Sequence, residues 1–175
     1  NFGFKKLILH MNRKILLATM FIIAILISSC SKKDEVIGEV KDHYLKVKID
    51  GNEKSFAIVK GRWVDGGNFL EITGNNSGNE SIVITVMSDS RRISSGQYSL
   101  DDGSGFTILA AHSVMSSHQL NHTATRGTLA PEDAFNLKVD RIDNTSTEGS
   151  FSGVLVRVEG VNTLGTVTLT EGSFK

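Results

Sequence analysis

Apolar and polar residues alternate along the chain from Tyr44 onward. Leu45, Val47 and Ile49 share one parity, and the residues between them are lysines. Because successive side chains of a β-strand point to opposite faces, this period of two predicts a strand with one buried face. The Asp-Gly pair at positions 50–51 follows directly, and it is a strong signal for a two-residue hairpin turn.

Short segments of the same kind recur as far as the C-terminus. Further strands are predicted over 55–58, 69–73, 81–87, 97–100, 106–111, 119–125, 134–141, 154–158 and 165–170. Ser81–Met87 (SIVITVM) is apolar at both parities, which predicts a central strand that is covered on both faces. No segment of ten or more residues after Cys30 holds a helical period. The sequence therefore predicts an all-β domain over 44–175, an antiparallel β-sandwich of about 9–10 strands.

One five-residue sequence occurs twice near the C-terminus. Thr147–Phe151 reads TEGSF, and Thr170–Phe174 repeats it 23 residues later. In each copy the phenylalanine has the opposite parity to the apolar residues of the neighbouring strand. Since a β-bulge adds one residue and shifts the parity, we predict bulges or strand entries at Gly149 and Gly172, with both phenylalanines buried. The alternative is a duplicated binding element.

The N-terminal residues follow a different pattern. A basic segment, Met11-Asn12-Arg13-Lys14, precedes Ile15–Ile27, thirteen residues in which Thr19 is the only polar member. A basic segment, a short apolar segment and a small-residue boundary are typical of a secretory signal peptide. A membrane-spanning helix needs roughly 20 apolar residues, so this run is short for one. We expect upstream residues and a signal peptide over 1–29, with translation starting at Met11; the alternative is a retained membrane anchor.

The boundary Ile27-Ser28-Ser29-Cys30 resembles the lipobox of bacterial lipoproteins. The resemblance implies cleavage before Cys30, diacylation of its sulfur by fatty acids such as palmitate, and acylation of the new amino terminus. Each buried CH₂ contributes about 0.8 kcal/mol, so two or more acyl chains anchor a protein stably in a membrane. Cys30 is the only cysteine of the chain, so its lipidation would leave the folded domain without a thiol or a disulfide.

Two lysines and two acids follow in Ser31–Glu35, a pattern that resembles the export signal of surface lipoproteins in Bacteroidota-type bacteria. It implies an outer-membrane lipoprotein exposed at the cell surface, with residues 30–43 as the lipidated cysteine and a polar tether. An ordinary charged tether on an inward-facing lipoprotein is the alternative. The segments YLKVKIDGNEKSFA, GQYSL, EGSFSGVL and VTLTEGSFK also resemble a family of Bacteroidota lipoproteins with a β-sandwich domain of unknown function. That resemblance covers most of 44–175 and implies no catalytic residues.

The charge of the chain changes at Cys30. Four of the 19 lysines and arginines precede this residue, whereas all 19 acids follow it, so the part from Cys30 onward has a net charge of −4. Phosphate binding needs a clustered positive surface, and we therefore expect no nucleic-acid partner.

Three histidines form the best candidate for a metal site. If the strands over 106–112 and 119–125 pair in register, His112 and His122 lie opposite each other on one face, with His118 in the connecting loop. Three imidazoles can bind zinc and leave one position open, but a one-residue slip in register would separate the two strand histidines. We predict structural or surface histidines, no tight zinc site and no cofactor.

Trp63 and Arg62 are the candidate ligand-rim residues, because they lie where a predicted strand end enters a glycine-rich loop. An exposed tryptophan there can stack on a ligand, whereas the alternative is packing over the end of the sheet. GSFSG at 149–153 carries Phe151 where a nucleophile elbow has serine, and the chain contains no H-E-x-x-H motif.

These patterns favour a non-catalytic binding or envelope-interaction module that is anchored to the membrane at Cys30, with a protein or glycan ligand. Three alternatives remain open. An accessory glycan-binding lipoprotein of a nutrient-uptake system would be favoured by Trp63 exposed beside a concave face. A protective inhibitor or immunity lipoprotein cannot be separated from the leading hypothesis by sequence. A metal-dependent enzyme would need the three histidines to converge.

Replacement of the cysteine tests the anchor. Cys30→Ala should abolish lipid labelling and membrane association, while the domain from Tyr44 onward still folds, because Cys30 contributes nothing to its core. Metabolic labelling with a fatty acid, followed by membrane fractionation, measures both properties. A Cys30→Ala protein that stays lipidated and membrane-bound would refute the lipoprotein assignment.

Overall fold

The computed structural model describes residues 43–77, 79–100, 102–115, 119–124 and 133–175. These residues form eleven β-strands and one short 3-10 turn, Asp65–Gly67, and they contain no α-helix. The strands are β1 (Leu45–Ile49), β2 (Asn52–Phe56), β3 (Ile58–Val64), β4 (Phe69–Asn76), β5 (Glu80–Met87), β6 (Gly96–Ser99), β7 (Thr107–Met115), β8 (Gln119–Ala124), β9 (Ala134–Ile142), β10 (Thr147–Glu159) and β11 (Asn162–Phe174). All strand pairs are antiparallel, and the predicted all-β fold is confirmed.

The strands form one hydrogen-bonded sheet in the order β2-β1-β11-β10-β8-β7-β5-β4-β3. β10 is long enough to pair with two strands on the same side. Its first part, Thr147–Val154, pairs with β9, which in turn pairs with β6, whereas Val156 further along pairs with Thr123 of β8. β1, β8 and β9 pair directly with the β10–β11 hairpin, and the remaining strands connect to it through these three.

The two ends of the sheet order, β2 and β3, are joined through a single residue, Ala57. The Ala57 amide donates a hydrogen bond to Oδ1 of Asn76 at 3.2 Å. Phe56 lies so close to Gly74 of β4 that an added Cβ there would be 3.0 Å from the Phe56 Cβ. The sheet consequently folds back on itself and nearly closes in a barrel-like arrangement, which is consistent with the predicted antiparallel β-sandwich. The expected single strand over 55–58 is wrong, because the chain turns a corner at Ala57.

Alternation along each strand builds one continuous core on the concave face of the sheet. Its largest fully buried side chains are Phe135, Phe174, Leu45, Leu70, Ile72, Ile82, Ile84, Ile93, Leu137, Leu155, Leu169 and Val47. The prediction that β5 is central is confirmed, since it lies between β4 and β7. Its second face is covered only in part, because Val83 and Met87 point away from the concave side and remain half-buried.

The predicted hairpin turn at the end of β1 is confirmed. Asp50 and Gly51 have φ values of 49° and 80°, the left-handed values that a type I′ turn requires at both central residues. Asp50 also accepts a hydrogen bond from the amide of Thr168 in β11 at 2.8 Å, so the turn is tied to the neighbouring strand.

The two TEGSF segments pair with each other in the β10–β11 hairpin. Gly149 lies opposite Phe174, and Phe151 lies opposite Gly172. Both rings are buried, with exposures of 4% for Phe151 and 1% for Phe174, and their centroids are 6.4 Å apart. A Cβ on Gly172 would lie 2.6 Å from the Phe151 carbonyl oxygen, so glycine is required for this approach.

Bulges absorb the parity shifts on both sides of the hairpin. The register with β1 shifts where Glu171 and Gly172 oppose the single residue Val47, and Glu171 takes a φ of 52°. The register between β9 and β10 shifts at the step from Glu148 to Gly149. The predicted bulges and buried phenylalanines are therefore confirmed, and the repeat is explained as a structural element.

Truncation of either ring should destabilise the domain strongly. Phe151→Ala and Phe174→Ala should each lower the free energy of unfolding by about 3–5 kcal/mol, because each removes a buried aromatic side chain from a packed core. Val161→Ala is the matched control, since this apolar side chain is 76% exposed at the hairpin tip. Urea melts measure all three, and losses under about 1 kcal/mol for both phenylalanine variants would contradict the packing.

Candidate functional site

A cavity of about 370 Å³ lies beside the edge of β3 that is not paired with β4. Across the gap are the turn between β9 and β10 and the C-terminal end of β11. Its lining residues are His43, Ile58, Val59, Lys60, Gly61, Arg62, Trp63, Leu70, Ile72, Ile142, Asp143, Asn144, Thr145, Ser146, Thr147, Phe174 and Lys175. We call this space the edge cavity. Its volume is within the range of small-molecule sites, about 300–1,000 Å³.

The register of β3 explains the space under it. Gly61 pairs with Ile72, which is 2% exposed, so position 61 faces the interior. Directly opposed residues of an antiparallel pair share a face, and interior positions normally carry an apolar side chain. A Cβ added to Gly61 would meet nothing within 4 Å. Gly61 itself is exposed to solvent, so glycine at this inward-facing position leaves the edge cavity open to the outside.

The floor and the rim of the edge cavity differ in chemistry. Leu70, Ile72 and Phe174 are core residues and form an apolar floor. The rim carries the basic side chains of Lys60, Arg62 and Lys175, together with His43. This is a cationic margin on a domain whose remaining surface contributes the net negative charge.

Asp143 is the acid of the lining, and its carboxylate is held by its own turn. It accepts hydrogen bonds from the Thr145 hydroxyl at 2.7 Å and from the amides of Thr145 and Ser146 at 2.8 and 2.9 Å. Arg141 donates a further hydrogen bond at 3.2 Å. These hydrogen bonds, above all that of the Thr145 hydroxyl, hold the pKa of Asp143 far below its ordinary value. The carboxylate therefore shapes the wall of the cavity and remains charged.

The structure places both candidate rim residues, Trp63 and Arg62, in the lining of the edge cavity. The indole of Trp63 is half-buried, with the Arg92 guanidinium 4.6 Å from the ring centre. A Cβ added to Gly67 would lie 2.7 Å from the Trp63 ring. Arg92 and Gly67 thus pack against the indole, an arrangement that differs from an open stacking platform. Arg62 lies over the ring of Phe69 at 5.8 Å.

The histidine pair lies elsewhere on the sheet and shares no residue with the edge cavity. His112 of β7 pairs directly with His122 of β8, as the in-register hairpin predicts, and the ring centroids are 6.4 Å apart. His118 and Cys30 lie outside the described residues. Among the residues that are described, no group of three or more His, Cys, Asp or Glu side chains could hold a metal ion. The absence of a tight zinc site stays a prediction.

Glu80 is a partner of His112 that the sequence pattern did not predict. Its carboxylate contacts Nε2 of His112 at 3.0 Å and Nζ of Lys54 at 3.2 Å, so it links β7, β5 and β2. Burial favours the neutral acid, but the hydrogen bonds from His112 and Lys54 outweigh burial and lower the pKa of Glu80. The signal was available: Glu80 has the same parity as Ile82 and Ile84, which puts it on the inward face.

No protein-family model matches the sequence, and no curated protein or solved structure matches it either. Within the described residues, no helix is long and apolar enough to cross a membrane. The choice between the two sites therefore depends on geometry. The edge cavity offers volume, an apolar floor and a charged rim. In the cluster around Glu80, the carboxylate is already bonded by His112 and Lys54.

The stability of the domain should depend on pH through His122. Burial, followed by the positive charges of His112 and Arg157, lowers the pKa of His122, while Asp50 acts in the opposite direction. The unfolded chain takes up this proton near pH 6.5, but the folded chain resists it, so stability falls as the pH drops through 6.5. Glu80 adds a further loss only below its ordinary pKa of 4.5.

Urea melts at pH 7.5, 6.5 and 5.5 measure this dependence. His122→Asn should flatten the pH profile of the unfolding free energy in this range. Asn121→Ala, the exposed neighbour on the same strand, should keep the wild-type slope. Equal slopes in the wild type and in His122→Asn would show that another group is responsible.

Proposed function

We propose that this chain is a lipid-anchored, non-catalytic binding module at the outer membrane, exposed at the cell surface, which holds its ligand in the edge cavity. The observation that carries the proposal is the inward-facing Gly61 with open space at its Cβ position, beside an unpaired strand edge. The cavity has a volume of about 370 Å³ and is open to solvent at β3, where Lys60, Gly61 and Arg62 are exposed, so a ligand can enter it. The lipid anchor and the cell-surface location derive from the resemblance around Cys30.

The lining defines the chemistry of the ligand. The floor formed by Leu70, Ile72 and Phe174 accepts an apolar group. Lys60, Arg62 and Lys175 on the rim favour an anionic or hydrogen-bond-accepting group beside it. Such sites bind through the apolar contact and gain orientation from a few polar groups. We therefore expect an amphipathic ligand with negative charge.

Within each of the two sites, the polar side chains hydrogen-bond to one another, and this favours binding over catalysis. The Asp143 carboxylate bonds within its own turn, and the Ser146 hydroxyl bonds to Asp143 at 3.2 Å. The pair of half-buried Glu80 and buried His112 lies away from the cavity, and Glu80 also bonds to Lys54. A metal-dependent enzyme would need a third ligand to join the pair His112 and His122.

A fluorescent anion tests the cavity. The probe is 1-anilinonaphthalene-8-sulfonate, which combines an apolar body with one sulfonate, and Trp63 is the only tryptophan in the chain and serves as the local reporter. Titration of the purified full chain should give saturable quenching of Trp63 with energy transfer to the dye. Gly61→Leu should weaken this binding at least tenfold (a cost of about 1.4 kcal/mol or more), because leucine occupies the space.

Thr166→Leu is the matched control, since it adds the same side chain at an exposed position of β11. It should leave dye binding unchanged. Gly61→Leu should retain a cooperative urea melt, because its Cβ meets no neighbour and φ at position 61 is not in the left-handed region. Equal dye binding by the wild type and by Gly61→Leu would place the ligand site elsewhere.

A further inference from the structure

We infer that the ligand of the edge cavity is an extended polypeptide segment with alternating acidic and apolar residues, which adds to the sheet along the free edge of β3. This inference depends on the proposed function, because it takes the edge cavity to be the binding site.

The backbone of β3 has one edge without a strand partner. Among the described strands, β3 hydrogen-bonds only to β4, so its second edge presents N–H and C=O groups to the cavity. Seven strand residues, Ile58–Val64, extend over about 23 Å at the usual rise per residue. An unpaired edge of this length is a template for another strand, and strand addition is a common mode of peptide recognition. Only a polypeptide offers the complementary row of donors and acceptors.

The side chains of β3 alternate between the inward and the outward face. Val59, Gly61 and Trp63 share the inward face with their β4 partners, and Gly61 leaves open space there. On an added strand, every second side chain points to the same inward face. An apolar side chain opposite Gly61 would therefore fill the gap and contact Ile72 and Phe174 of the floor.

The charge of the lining also favours an acidic partner. Lys60 occupies the other parity of β3 and is exposed, and Lys175 lies across the gap, whereas Arg62, of the same parity as Lys60, already lies opposite Glu71 of β4. On an added strand, the residues that alternate with the apolar ones face these cations. Opposite charges on directly opposed strand residues are favourable, and like charges are unfavourable. The partner segment should accordingly be acidic at these positions.

The packing of Trp63 separates a polypeptide from a glycan. Sugar recognition by stacking needs an accessible aromatic face. Here the ring contacts the Arg92 guanidinium at 4.6 Å and approaches the backbone at Gly67. A glycan would gain little from this ring, whereas strand pairing does not require it.

The test uses a blocked heptapeptide, acetyl-Asp-Val-Asp-Leu-Glu-Val-Asp-amide, titrated by calorimetry into the purified full chain. Two further versions carry N-methyl groups, one at the odd and one at the even backbone amides. Alternate amides of a strand point to opposite sides, so one methylated set blocks pairing with β3 and the other leaves it intact. Saturable binding is expected for the parent peptide and for one methylated version, with a loss of at least tenfold for the other.

Variants locate the contact. Lys60→Glu should weaken binding of the parent peptide at least tenfold, because it places like charges opposite each other. Lys46→Glu makes the same charge change on β1, outside the cavity lining, and should leave binding unchanged. Gly61→Leu should weaken peptide binding at least tenfold, as it does dye binding.

The outcomes of these titrations distinguish strand pairing, a polypeptide ligand and the cavity itself. Equal affinity for both methylated versions, or equal effects of Lys60→Glu and Lys46→Glu, would overturn strand pairing at β3. Saturable dye binding in a protein that binds no peptide would overturn the polypeptide inference and leave the proposed cavity intact. Displacement of the dye by maltoheptaose, but not by the peptide, would assign the cavity to a glycan. Failure of both dye and peptide to bind would reject the proposed function itself.

Discussion

The pairing of the two TEGSF segments is the contact on which the rest of the fold depends. Gly149 lies against Phe174 and Gly172 lies against Phe151. The glycine of each segment therefore leaves room for the phenylalanine ring of the other segment. This reciprocal packing fixes the register of the β10–β11 hairpin. β1, β8 and β9 pair directly with that hairpin, and the remaining strands follow through these three. A register slip would reverse the faces of its strands and remove both rings from the core.

From this centre the sheet extends in two directions and meets itself at Ala57. Closure is incomplete, because β2 pairs with β1 and β3 pairs with β4, while the other edge of β3 faces the turn held by Asp143. The one-residue corner makes the two ends adjacent, and the glycine at position 61 keeps the gap open. The same constraint that folds the sheet back therefore produces the edge cavity, so fold and candidate function have one physical origin.

Sequence patterns were sufficient for features set by local periodicity and not for those set by distant contacts. The strand at 45–49 and the bulges at the repeat follow from parity, and the Asp50–Gly51 turn follows from its Asp-Gly pair. Pairing of His112 with His122 also followed from parity once a hairpin was assumed. Gly61 gave no signal, because its inward orientation depends on pairing with Ile72. The corner at Ala57 likewise depends on contacts with Asn76 and β4, which are distant in the sequence and therefore cannot be predicted from the residues next to Ala57.

Residue-resolved amide hydrogen exchange tests the central claim most directly, namely that β3 has a free edge that closes on a ligand. Without ligand, alternate amides of Ile58–Val64 should exchange rapidly, while those bonded to β4 are protected. At a saturating concentration of the acidic and apolar heptapeptide, the rapidly exchanging amides of β3 should become protected. The exchange rates of the amides around Glu80 and His112 should not change. Uniform protection of β3 in the free protein, or new protection confined to the Glu80 cluster, would contradict the account.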